Sequence, residues 1–138
     1  RDLWLARPEI GETAVEELLR YTSPADFSTP RTARETVTIA GVAIPKGAMV
    51  LAGLGSANRD EMRFPDPDRL DLTRDGARHL AFGMGIHFCV GAPLARLEAR
   101  IALPALFRRF PALRTEAGRL RWRRGMLFRG LEELPVAW

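Results

Sequence analysis

Phe82-Gly83-Met84-Gly85-Ile86-His87-Phe88-Cys89-Val90-Gly91 is the stretch on which the reading of this chain turns. Gly83, Gly85 and Gly91 punctuate a loop that carries Cys89, the single cysteine of the sequence. Residues 92–110 then read as a helix. Pro93 suits its first turn, Leu94, Leu97, Ile101 and Leu106 give an apolar face, and Pro111 lies beyond its end. Pro104 inside that run removes a backbone donor and predicts a kink. Cys89 is therefore expected directly before a helix N-terminus, where unpaired N–H groups and the helix dipole favour a thiolate over a thiol. Glycine neighbours let backbone N–H groups approach a sulfur closely.

A charged sulfur with an open side serves as a nucleophile or as a metal ligand. A nucleophile needs a base, and only His79 and His87 are available. His87, two residues before Cys89 in an extended loop, is expected to point away from it. A zinc site wants about four ligands, and two histidines with one cysteine make a poor set. Haem iron needs a single cysteine, because the porphyrin supplies the rest. The bland alternative is a buried, inert cysteine, the commonest fate of a lone cysteine.

The remaining composition narrows the classes. The 138 residues are 46% hydrophobic and 28% charged, a balance that argues for a folded chain of one-domain size. No apolar run reaches the ~20 residues of a membrane helix, and one cysteine forms no internal disulfide. The sequence opens Arg1-Asp2-Leu3-Trp4, without an initiator Met or a signal-peptide pattern, so a fragment is expected. Net charge is +4, from 21 basic and 17 acidic residues, and Lys46 is the only lysine. The arginines are scattered among acids. The densest run, Arg119, Arg121, Arg123 and Arg124, alternates like one solvated face of a strand, with Leu120 and Trp122 on the other. Nucleic-acid binding is not expected, whereas a basic surplus suits docking onto an acidic protein partner.

Residues 9–22 read as an amphipathic helix with Ile10, Ala14, Val15, Leu18 and Leu19 apolar and Glu12, Glu16 and Arg20 polar, stopped by Pro24. Thr36–Ile39, Val42–Ile44 and Met49–Leu51 alternate around turns at Ala40-Gly41 and Pro45-Lys46-Gly47, giving one small antiparallel sheet. From Asn58 to Leu80 periodicity fails, and Pro65 and Pro67 exclude a helix, with a turn signal at Asp75-Gly76. A long loop of this kind inside a compact chain is usually functional. Leu113–Trp138 is strand-like, with turns at Ala117-Gly118, Gly125 and Gly130.

The pattern Phe-Gly-x-Gly-x-His-x-Cys-x-Gly, followed by Leu94-Ala95-Arg96, resembles the haem-binding signature of the bacterial cytochrome P450 family. Glu17-Leu18-Leu19-Arg20 is similar to the family's Glu-x-x-Arg helix. Phe64-Pro65-Asp66-Pro67-Asp68-Arg69 is similar to the meander whose arginine completes a Glu/Arg/Arg triad, with Leu70 in place of a frequent aromatic. Ala57-Asn58-Arg59-Asp60, Arg129-Gly130-Leu131 and Leu134-Pro135-Val136 also resemble bacterial members. The resemblance implies an α+β, α-rich fold. Residues 1–138 would be the C-terminal, proximal haem-binding part of a single P450 domain: Glu-x-x-Arg helix, small antiparallel sheet, meander, cysteine loop, following helix and terminal strands.

The resemblance further implies a haem-thiolate monooxygenase that inserts one oxygen atom of O2 into a small organic substrate. Electrons would come from NAD(P)H through a ferredoxin-type partner and its reductase, in the cytoplasm and without membrane or nucleic acid. The alternative is a truncated remnant that binds haem weakly or not at all. By resemblance, Cys89 is the catalytic thiolate and the metal ligand to haem b. Phe82 shields the sulfur, and His87 and Arg31 meet haem propionates, with Arg34 a competitor for Arg31. Gly83, Ile86, Val90, Gly91 and Ala95 complete the cofactor contacts. Glu17, Arg20 and Arg69 are expected to form the supporting triad. His79 is expected to bond nearby backbone, and Arg96 with Arg100 to form a solvated face or a basic docking patch. Substrate contacts are expected from residues 24–30 and 125–128.

Overall fold

The computed structural model describes residues 1–75, 78–116, 118, 120–125 and 127–138. Helix α1 (Asp2–Ala6) leads through a 3-10 turn at Pro8–Ile10 into α2 (Gly11–Thr22). The start expected at residue 9 is thus a tighter turn, with Pro8 in the position where its missing N–H costs nothing. Helix α2 ends on Ser23, whose left-handed backbone (φ 40°) returns its N–H to the Leu19 carbonyl at 3.0 Å.

The core forms where α2 presents Ala14 and Val15 to Trp4 and Ile10, with Leu18, Leu19, Leu72, Ala99 and Leu103 at its margin. Trp4 lies so close to α2 that a Cβ on Gly11 would stand 3.2 Å from its Nε1. Helix α4 (Ala92–Arg109) packs across both α1 and α2.

Helix α4 runs from Ala92 to Arg109 and passes through Pro104 without a break. Its inward face is not the leucine face read from the sequence. Leu94, Leu97, Ile101 and Leu106 stay exposed, whereas Ala92 and Pro104 are buried and Ala99 and Leu103 join the core margin. Ala92, Arg96, Ala99 and Leu103 follow a 4, 3, 4 spacing that places them on one helical face. A charged residue in the middle of that stripe hides it from a periodicity reading.

The strands are short. β1 (Arg31–Thr32) pairs antiparallel with β4 (Met49–Val50), and β2 (Val37–Ile39) with β3 (Val42–Ile44). These are two separate two-stranded ladders, not the single sheet expected. The β2–β3 turn holds Ala40 and Gly41 at φ 49° and 81°, the positive pair that matches hairpin twist. A one-turn helix, α3 (Leu54–Ala57), opens the long loop. In the tail β5 (Arg114–Thr115) pairs with β8 (Val136–Ala137), and β6 (Arg121–Trp122) with β7 (Leu131–Glu133).

Strand β6 holds only two residues of the expected arginine-rich strand, and Arg123 and Arg124 lie past its end. Arg121 is not simply solvated, because its Nη2 donates to Glu133 at 2.6 Å. Arg119, and the turn signals at Gly76 and Ala117, lie outside the described residues.

Candidate functional site

Cys89 closes the glycine loop. Its N–H donates to the Phe82 carbonyl at 2.9 Å, and its own carbonyl accepts the Ala92 N–H at 3.2 Å, joining the loop to the start of α4. Gly83 and Gly85 both adopt φ 71°, a conformation that costs other residues strain. The segment expected to be extended at His87 is a 3-10 turn, Gly85–His87, closed by the Phe88 N–H on the Gly85 carbonyl at 3.0 Å. Phe82 packs edge-on to Phe88, with centroids 6.3 Å apart.

The Cys89 thiol is exposed, which removes the buried-cysteine reading. A Cβ added at Gly91 would stand 3.7 Å from the Cys89 Sγ, so this glycine keeps the backbone close to the sulfur. His79 cannot serve as a base for a cysteine nucleophile. Its side chain is buried, Nδ1 accepts the Ala81 N–H at 3.1 Å, and Nε2 faces Glu16 at 3.3 Å. Among the described residues no group of three or more His, Cys, Asp or Glu side chains is gathered to hold a metal ion. The geometry leaves Cys89 as an exposed sulfur outside any such group.

Helix α2 and the long loop share a buried ion network. Glu17 and Arg20, both 0% exposed, form a forked pair: Nε to Oε2 at 2.7 Å and Nη2 to Oε1 at 2.9 Å. Their i, i+3 spacing on α2 brings the groups together, and the fork matches carboxylate geometry. Arg20 Nη1 also donates to the Asn58 and Pro67 carbonyls at 2.8 and 2.9 Å. Glu17 Oε1 accepts the Asp71 N–H at 2.9 Å. Burial acts to raise the Glu17 pKa, but the Arg20, Asp71 and Arg74 donors outweigh it and hold the carboxyl below its usual range.

The third arginine of this network is Arg74 rather than Arg69. Arg74 Nε lies 3.2 Å from both Glu17 oxygens. Arg69 contributes only its carbonyl, which accepts from Arg20 at 3.4 Å and from Arg74 at 3.2 Å. The turn closed by the Arg69 N–H on the Asp66 carbonyl presents that backbone inward.

Two further residues were not singled out by sequence reasoning as part of the site. Asn58 is fully buried and donates from Nδ2 to Ser23 Oγ at 2.8 Å, while its Oδ1 accepts the Leu80 N–H at 2.6 Å. It ties α2's end to the segment that enters the cysteine loop. Glu16 binds Arg96 through two bonds, 2.6 and 2.8 Å. Arg96 is therefore not a free surface cation, as its expected solvated face required.

Arg31 sits exposed on β1, where Nη1 bonds the Thr29 hydroxyl and, at 3.1 Å, the Thr29 carbonyl. Arg34 is also exposed. The two segments expected to touch substrate meet each other: Ala25 bridges Phe128, Asp26 N–H donates to the Leu127 carbonyl at 3.0 Å, and Arg129 N–H donates to the Pro24 carbonyl at 2.8 Å. Met126 lies outside the described residues.

An exposed cysteine on a glycine loop thus stands directly before α4, in a chain whose α2 and long loop share a buried Glu/Arg network. Residues 9–119 match the family model for cytochrome P450. The chain is 54% identical over 131 residues to 6-deoxyerythronolide B hydroxylase of Saccharopolyspora erythraea, covering 94% of this chain and 32% of that protein. It is 51% identical over 138 residues to the mycinamicin IV hydroxylase/epoxidase of Micromonospora griseorubida, covering 97% and 34%. The crystal structure of the Bacillus subtilis bacillaene polyketide synthase P450 PksS superposes with a TM-score of 0.93 at 47% identity, over 99% of this chain and 36% of that one. The chain belongs to the cytochrome P450 family, and its architecture is that of the C-terminal part of the P450 fold. It spans about a third of the length of the curated relatives it matches.

Members of this family bind haem b, and the residues present fit it. One accessible sulfur is the whole donor set that the chain must supply. Ile86 and Val90, on either side of Cys89 in sequence, are each 98% exposed, and Phe88 and Leu94 are also exposed. Uncovered apolar side chains close to the cysteine in sequence suit an apolar macrocycle.

Proposed function

We propose that this protein is a haem-thiolate monooxygenase that inserts one oxygen atom of O2 into a small organic substrate, the other atom leaving as water. The observation that carries the reading is the exposed Cys89 sulfur on a glycine loop joined to the start of α4. Electrons come from NAD(P)H through a ferredoxin-type partner and its reductase, and the protein works in the cytoplasm. Among the described residues no helix is long and apolar enough to cross a membrane.

When bound, haem supplies oxygen activation at iron, which a thiolate ligand favours by donating electron density. Cys89 would hold the iron, and the Phe82 carbonyl fixes the Cys89 backbone. His87 and Arg31 would meet the propionates, for which a guanidinium gives a strong, forked partner. Phe82, Gly83, Ile86, Val90, Gly91 and Ala95 would line the cofactor. The joined segments at 24–30 and 127–129 offer Phe27 and Phe128, both exposed, to a substrate. The relatives named for acting on 6-deoxyerythronolide B and mycinamicin IV make those two compounds the first to assay.

The test replaces Cys89 with His in the haem-loaded protein and records the ferrous carbonyl spectrum. Loss of the red-shifted thiolate band is expected. Its persistence in Cys89→His, or its absence in the parent protein, would overturn the assignment.

A further inference from the structure

A second polar cluster stands apart from the Glu17 network. Glu16 takes the Arg96 guanidinium through two bonds, linking α2 to α4 across 80 residues of chain. The Arg96 Cζ lies 4.8 Å from the centroid of Phe82. His79 completes the group. Its buried ring sits 6.1 Å from the Phe82 ring, with Nδ1 taken by the Ala81 N–H and Nε2 3.3 Å from Glu16. Because Nδ1 accepts, the neutral imidazole carries its proton on Nε2, facing the carboxylate. That Nε2 is not satisfied by a well-aligned hydrogen bond, so its attraction to Glu16 is chiefly electrostatic. Phe82 is thereby held on one side by a cation and on another by an imidazole, and its carbonyl holds the Cys89 N–H.

We propose that Glu16, His79 and Arg96 act as positioning residues for the thiolate ligand: the Glu16–Arg96 fork, with His79 behind it, fixes Phe82 and through it the Cys89 backbone. This rests on the haem-thiolate reading above. It differs from the role of Glu17, Arg20 and Arg74, which brace α2 against the long loop. A guanidinium does two things at once here, forking onto a carboxylate and lying on a ring, and a lysine reproduces neither geometry. Partners one shell out from a metal ligand typically change metal affinity about 10–100-fold when removed.

The experiment uses the haem-loaded protein with Arg96→Gln, Arg96→Lys, Glu16→Gln and, as a control of stability alone, Arg59→Gln. Arg59 stacks on Tyr21 at 4.1 Å and bonds its carbonyl at 2.8 Å, well outside this group. Haem transfer to an apoglobin acceptor, the haem reduction potential and the ferrous carbonyl band are measured alongside thermal stability. Arg96→Gln and Glu16→Gln are expected to speed haem loss by about 10-fold or more, to shift the potential and to lose part of the thiolate band. Arg96→Lys is expected to retain the fold and still shift the potential. The proposal is overturned if Arg96→Lys and Glu16→Gln keep the parent's potential and band, or if their haem loss only matches Arg59→Gln at equal loss of thermal stability. A parent protein without the thiolate band would instead sink the haem-thiolate reading itself, so the two failures are distinguishable.

Discussion

Arg74 Nε lies 3.2 Å from both oxygens of the buried Glu17 carboxylate, 57 residues earlier in the chain. The same guanidinium gathers three carbonyls, from Pro65 at 2.7 Å, Asp66 at 3.1 Å and Arg69 at 3.2 Å. One side chain thus folds the long loop on itself and fastens it to α2. The Glu17–Arg20 pair alone would be a buried ion pair, which stabilises little net of desolvation but costs much when broken. Arg74 and the backbone donors complete its hydrogen bonding, the condition under which such a network holds.

The first prediction separates Arg74 from Arg69. Arg74→Ala should destabilise the protein by about 1.5–3 kcal/mol, the range for hydrogen bonds to charged groups. Arg69→Ala should lie near the parent, because the network uses only its carbonyl. Glu17→Ala should be the most severe of the three, at ~3–5 kcal/mol, since it leaves Arg20 charged and buried. Denaturant unfolding of the holoproteins measures all three. Equal effects at 69 and 74 would contradict the network drawn here.

The motifs of the cysteine loop and of the Glu-x-x-Arg helix were legible because their chemistry depends on local spacing. A cysteine before a helix and a carboxylate three residues before a guanidinium are short-range facts. What was hidden depends on where the long loop returns. Nothing in Phe64–Asp75 marks which arginine will point inward, because proline-rich turns carry no period. The same holds for α4. Its packed stripe is Ala92, Arg96, Ala99 and Leu103, and only the presence of Glu16 opposite makes a charge acceptable there. Leu94, Leu97, Ile101 and Leu106 do form the apolar face that periodicity marks, but the described residues leave it exposed.

Acid should weaken the fold in two stages. Burial, opposed by the Glu16 charge and reinforced by those of Arg96 and Arg20, holds the His79 pKa below its usual value. The unfolded chain then takes up a proton below the ordinary histidine range while the folded chain does not, so stability falls as pH drops through that window. The second stage comes from Glu16 and Glu17. Burial alone would raise both, but Arg96 and His79 on Glu16, and Arg20, Asp71 and Arg74 on Glu17, hold them below the usual range. Their contribution is complete above the ordinary glutamate range and is lost as pH falls through their lowered folded values. Thermal melts against pH should show both steps, and His79→Gln should erase the upper one. An upper step that survives His79→Gln belongs to another group.

Glycine substitutions in the cysteine loop should divide by conformation. Gly83 and Gly85 are held at φ 71°, and an added Cβ would meet nothing closer than the His87 carbonyl, 3.7 Å from Gly83. The cost of Gly83→Ala or Gly85→Ala is then the left-handed backbone itself, about 1–2 kcal/mol each. Gly91 has an ordinary φ of −81°, so Gly91→Ala should cost less stability. Its new methyl, however, would lie 3.7 Å from Cys89 Sγ, where it should shift the ferrous carbonyl band. Stability loss at Gly91 as large as at Gly83, with an unmoved band, would show that the sulfur environment is not set by this glycine.

The last prediction concerns residues 1–138 by themselves. Their accessible surface is 10146 Å², whereas a self-contained monomer of 15.4 kDa is expected to expose about 7,200 Å². The excess is apolar in the places that matter. Leu94 and Ile101 on α4 are 60% and 61% exposed, and the loop beside Cys89 leaves Ile86 and Val90 bare. Against this, among the described residues, stand a buried cluster of Trp4, Ile10, Ala14 and Val15 with a few half-buried neighbours, and Phe64, Ala81 and Ala92 buried elsewhere. Uncovered apolar faces of this extent lead to association or to a loosely packed state. Expressed alone, the chain should therefore self-associate, bind a hydrophobic dye, retain haem poorly and fail to couple electron consumption to substrate oxidation, since the Cys89 sulfur is exposed and an unenclosed site does not exclude water. Light scattering, dye fluorescence and product formation against electron consumption measure these outcomes. A monodisperse, cooperatively melting chain with coupled turnover would show that the exposed faces of α4 and the cysteine loop need no cover, and that 138 residues suffice for the chemistry.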